Sequence, residues 1–223
     1  TLLDAVDNLD GVLSKFDPRD IQVDAKTFQF KAGGDEFGVG ERLQGAVWDD
    51  SKSGRISVYE YADGSRFIID GHQRLGLAKR SLSQNPNQKI TLYGDLIKEV
   101  DGVNVDQARV RAAMKNIAEG TGTATDAAKV LRVEPSRLSE LPPKSDLVRQ
   151  AQDMMDMPEA AFMAIINRVI PENYGAIVGR VLKDMPELQE AAIAILAKAG
   201  PANVFQAEAI VRQVRSAGGE EIK

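Results

Sequence analysis

Strand chemistry marks the first half of the chain, whereas the second half repeats its apolar residues every three or four positions. Residues 56–61 are β-branched and aromatic, Ala62-Asp63-Gly64-Ser65 has turn chemistry, and 66–69 is a second apolar run, a pattern that predicts a hairpin. Further strands are expected over 27–31 and 89–93. A short helix holding Glu41, Arg42 and Leu43 is expected between Gly38 and Gly45, and 48–54 reads as a polar surface loop. From about Val105 the period becomes helical, with Val110, Ala113, Met114 and Ile117 on one buried face. Leu141-Pro142-Pro143 interrupts it. New helices are expected from Asp146, over 160–169, from Pro171 with Tyr174, Ile177, Val178 and Val181 inward, over 186–199 and over 203–215.

These elements predict an α+β protein, a small mixed-sheet domain followed by an all-α domain. The expected division is an N-terminal extension over 1–17, an α/β domain over 18–122, a helical domain over 123–217 and a flexible tail over 218–223.

Composition narrows the chemistry. The 223 residues are 43% hydrophobic and 27% charged, as in an ordinary globular chain. No apolar run reaches the roughly 20 residues of a membrane span, and the first residues lack a secretory pattern, so no membrane partner and a cytoplasmic location are expected. The absence of cysteine excludes disulfides, thiolate catalysis and zinc-thiolate sites, and a single His excludes a histidine-rich metal centre. A net charge of -5 gives no bulk attraction for DNA.

The segment with the most chemistry is Asp70-Gly71-His72-Gln73-Arg74, where an apolar strand runs straight into a helix. A helix N-terminus presents unpaired N–H groups and a positive dipole end, so such a turn accepts anions. Gly71 lets backbone approach a ligand, Arg74 can fork onto phosphate oxygens, and Asp70 and His72 are suited to metal binding or proton transfer. The same spacing also fits a plain capped turn, and the residues alone leave both readings open.

The stretch Phe67-Ile68-Ile69-Asp70-Gly71-His72-Gln73-Arg74-Leu75-Gly76-Leu77-Ala78 resembles the second box of ParB proteins, which holds the triphosphate of CTP. Gly71, His72 and Arg74 match, and Gln73 stands where ParB has a second Arg. The loop is also similar to that of ParB-like free serine kinases, which use ADP. Sulfiredoxin shares this fold but needs a cysteine, so its activity is excluded. Upstream, Gln29 and Lys31 occupy the places of the Gln and Arg in the first ParB box. Downstream, Asn116 is retained from the third box, with Lys115 and Glu119 replacing its Glu and Arg. The chain is most similar to the DdrB-like ParB branch of phage and conjugative-element polyvalent proteins. That likeness rests also on 38–43, the Trp48-Asp49 loop, Pro171-Glu172-Asn173-Tyr174-Gly175 and Pro201-Ala202-Asn203.

The resemblance implies a ParB/sulfiredoxin-like domain and a nucleotide-binding accessory protein of DNA maintenance or a mobile element. Gly71, His72, Gln73 and Arg74 would hold phosphates of CTP, ATP or ADP, with Gln29, Lys31 and Asn116 facing them and Asp70 on a magnesium ion. The alternatives are a metal-dependent phosphotransferase, nucleotide hydrolase or nuclease using Asp70, His72 and Glu41, or a degenerate scaffold without ligand. A helix-turn-helix-like start, over 124–131 and 135–141, is the candidate DNA contact. A DNA phosphate and a second copy of the chain complete the expected partners. Met154, Met155 and Met157 read as core or as an adaptable contact surface.

Overall fold

The computed structural model describes residues 13–28, 37, 39, 45–50 and 54–221. Gln29, Lys31, Glu41 and nearly all of the helix expected over 38–45 lie outside them. The chain is mixed α+β and divides into two compact units, Thr1–Ala112 and Ala113–Lys223.

Among the described residues of the first unit, four strands form one mixed sheet: β1 (Ser14–Phe16), β2 (Ile56–Glu60), β3 (Arg66–Asp70) and β4 (Leu92–Lys98), in the order β1-β4-β2-β3. The β2–β3 hairpin closes as its turn residues predict. Tyr61 N–H donates to the Ser65 carbonyl at 2.9 Å, and the Asp63 carboxylate accepts from both the amide and the hydroxyl of Ser65. β4 pairs parallel to β2, Ile56 with Gly94 through Glu60 with Lys98, and antiparallel to β1. A parallel neighbour demands a crossover, and α2 (His72–Gln84) is part of it. Preceding it in the chain is the four-residue α1 (Ala25–Phe28).

Strand alternation sorts the core onto two faces of the sheet. Ile56, Val58, Ile68 and Leu92 pack with Leu75, Ala78 and Leu82 of α2 and with Phe16 and Ile21. On the opposite face Tyr59 and Ile69 pack with Phe28, Val103 and the alanines 108 and 112 of α3 (Val105–Ala118). The buried Tyr59 hydroxyl donates to the Val103 carbonyl at 2.7 Å, which satisfies a polar group that burial would otherwise penalise.

Three sequence expectations shift in this unit. Thr27 and Phe28, expected in a strand, are helical, because Asp24 caps the turn through the Thr27 amide at 3.1 Å. The strand expected over 89–93 begins at Leu92 and runs on to Lys98. Its register needs a residue without a side chain at 94, where a Cβ would collide with the Ile56 carbonyl. Ser14–Phe16, assigned to an N-terminal extension, is instead an edge strand.

The second unit is helical: α4 (Ala124–Val133), α5 (Asp146–Met154), α6 (Glu159–Ile166), α7 (Glu172–Val181), α8 (Gln189–Ala199) and α9 (Val204–Glu221). α4 packs on α5, α5 on α7, and α7 on α9. At the α5–α7 crossing a Cβ on Gly179 would collide with the Asp153 carbonyl, so only glycine permits that approach. The Arg132 guanidinium lies 4.4 Å from the Phe162 ring centroid and donates to the carbonyls of Met154, Met155 and Met157 and to Glu159. Met154 and Met157 are core residues. The tail expected over 218–223 is helical as far as Glu221, with Gly218 buried against Leu188.

Candidate functional site

The segment Asp70–Arg74 lies where β3 meets α2. Its entry is a β-bulge: Ser57 pairs with Asp70 but Val58 with Ile68, so β3 holds one residue more than β2 at this point. Paired residues share a face, so Asp70 falls in a row with Ser57 of β2 and, across the parallel pairing, Asp95 of β4. Ser57 is 2% and Asp95 8% exposed.

Gly71 then takes a left-handed conformation, φ 95°, and is the N-cap of α2. The residue is glycine for two reasons. Its φ disfavours any side chain, and a Cβ would come within 2.6 Å of the Ile56 Cγ2 atom. Among the described residues no side chain caps this helix and its first turn contains no acidic residue, so the nearest carboxylate in sequence is that of Asp70, one position before the cap. The first intrahelical bond runs from the Leu75 amide to the Gly71 carbonyl at 3.0 Å.

His72 and Gln73 open the helix, both partly buried, with His72 Nε2 shielded from solvent. Arg74 turns toward the segment leading into β2. Its Nη1 donates to the Arg55 carbonyl at 2.5 Å, and its guanidinium lies so close to Gly54 that a Cβ there would sit 2.8 Å from Cζ. Arg55 in turn sends Nη2 to the Asp95 carboxylate at 2.8 Å. Two arginines, two carboxylates and a buried serine thus collect around the helix start.

Two further cations of α2 bind carbonyls in the same manner. Lys79 Nζ donates to Ile21 at 2.6 Å and Arg80 Nη2 to Ala46 at 2.7 Å. Burial holds the Lys79 ammonium below its ordinary pKa.

The structure therefore brings Asp70, Gly71, His72, Gln73 and Arg74 together. Asn116 belongs to the second unit, where its carbonyl accepts from the Thr121 amide at 2.9 Å and closes α3. The positions of Gln29, Lys31 and Glu41 lie outside the described residues. Arg55, Ser57 and Asp95 were not singled out in the sequence. Their only signal is a polar residue interrupting each of two apolar strands and a cation preceding the first of them. Among the described residues, no three His, Asp or Glu side chains gather as a metal site.

The helix-turn-helix expectation meets a structural obstacle. α4 forms as expected, but the second element, Pro135–Glu140, is a six-residue 3-10 helix. Its Arg137 is held between Glu134 at 3.3 Å and Glu140 at 3.2 Å. A base-reading helix needs longer reach and uncommitted donors. No protein-family model matches the sequence, and no curated protein matches it either.

Proposed function

We propose that the start of α2 binds a phosphate group of a nucleotide, and that the chain is a ParB-like accessory protein acting in DNA maintenance or on a mobile element. The observation that carries this reading is the helix N-terminus itself, headed by left-handed Gly71, with no carboxylate in its first turn and, among the described residues, no side-chain cap. The amides at the head of α2 and the Arg74 guanidinium would receive the phosphate oxygens. A magnesium ion, binding one or two carboxylates together with ligand phosphates, would be held by Asp70 and would neutralise phosphate charge. Among the described residues, no ion pair engages the Asp70 carboxylate.

A second reading, a scaffold that keeps the fold without the ligand, is favoured by one contact. Arg74 already donates to the Arg55 carbonyl, so the cation expected on phosphate also ties down its own backbone. Thermal unfolding separates the two readings. Wild type and Arg74→Ala are each melted with CTP, ATP, ADP or GTP, with and without magnesium, and each shift is taken from that variant's own ligand-free midpoint. Binding predicts stabilisation of the wild type by one nucleotide, about 2.7 kcal/mol at roughly 100 times its Kd, and a smaller shift in Arg74→Ala. No shift with any of the four leaves the scaffold reading.

A further inference from the structure

The outward face of α8 does not look like a solvated helix face. Gln189, Ala192, Ile193 and Leu196 turn inward and are buried. The opposite face carries Ala191, Ala194 and Ile195, all exposed, with Ile195 at 45%. One charge stands at each end, Glu190 and Lys198, and both are exposed. They are eight positions apart, about 12 Å along a helix, too far to pair with each other. Among the described residues neither has an ion-pair partner. The neighbouring helices differ: Arg180 and Arg212 both pair with Glu208, Arg215 with Asp184, and Lys183 with Asp156. Beyond the turn after α8, Val204 and Phe205 are 40% and 83% exposed and add apolar surface at that end.

We propose that this face of α8 pairs with α8 of a second copy of the chain, antiparallel about a two-fold axis at Ala194. The charge pattern selects that partner. In an antiparallel two-fold pair centred on 194, position 190 of one copy faces position 198 of the other, so Glu190 meets the partner's Lys198 and Lys198 meets the partner's Glu190. Opposite charges meet at both ends, as an isologous contact requires. The alanines between them allow close helix approach, near the 8 Å lower limit of interaxial distance. An 11-residue helix buries less than the roughly 800 Å² per partner of a standard stable interface, so the dimer is weak and concentration-dependent.

Sedimentation equilibrium of the intact chain from low micromolar to about millimolar concentration tests this. The average mass is expected to rise from 24.2 kDa toward twice that value. Ile195→Glu, at an exposed position, should leave the circular dichroism spectrum unchanged and hold the protein monomeric. Glu190→Lys and Lys198→Glu should each weaken association roughly tenfold, and the double reversal should restore it. A monomer at every concentration overturns the proposal. A dimer indifferent to Ile195→Glu, or a double reversal that fails to rescue, overturns it equally.

Discussion

Gly71 decides more than any other single residue of the candidate site. Its left-handed backbone allows β3 to turn directly into α2, and its missing side chain leaves room for Ile56 beneath. A Gly71→Ala chain therefore incurs two penalties, backbone strain and overpacking, and should lose about 3 kcal/mol in urea unfolding. A loss near zero would mean that β2 yields at Ile56. The glycine is plain in the sequence. Its reason is not, because Ile56 lies 15 positions upstream and reaches Gly71 only through strand pairing. Arg74 teaches the same lesson. Its charge beside a glycine turn suggests a phosphate ligand, while its contact with the Arg55 carbonyl depends on the path of the chain before β2.

At the scale of elements, α2 works as a clamp. Arg74, Lys79 and Arg80 each reach a different carbonyl, at Arg55, Ile21 and Ala46, and so tie the connection between β1 and β2 to one helix. α4 shows the opposite economy, with its N-terminus doubly capped. Thr123 and Asp126 form a reciprocal capping box, and the Glu172 carboxylate of α7 accepts from the amides of Ala124 and Thr125 at 3.4 and 3.2 Å. Glu172→Ala removes this carboxylate from the positive ends of two helices, α4 and its own α7. It should cost about 1–2 kcal/mol, read as a lower urea midpoint at neutral pH. The helix expected from Ala124 does begin there. Glu172 stands 47 positions beyond Thr125, and only the packing of α7 brings it to the α4 start.

At the scale of the whole molecule, the pH dependence of stability should report one carboxylate of the α5–α7 crossing. Burial pushes the Asp153 carboxyl above its ordinary pKa, with Arg180, Arg149 and Lys183 pulling less strongly the other way. The unfavourable contribution of its ionised form is thus fully present above the raised pKa. It is relieved as pH falls through that value toward the ordinary carboxylate range. Asp153→Asn should be more stable than wild type at neutral pH, and the advantage should shrink to nothing in acid. A variant less stable than wild type at neutral pH would show that the three cations outweigh burial. The sequence by itself determined the broad layout: strand chemistry in the first half, helical periodicity in the second, the 56–69 hairpin and most helix starts. Each of these is set by spacing within one segment, where neighbouring residues share a face. The tertiary structure alone decided the parallel pairing of β4, the bulge that aligns Asp70 with Ser57 and Asp95, and the binding of the α2 cations to carbonyls. Those depend on contacts between residues far apart in the chain, and local propensity yields wherever such contacts bury more surface or satisfy more polar groups.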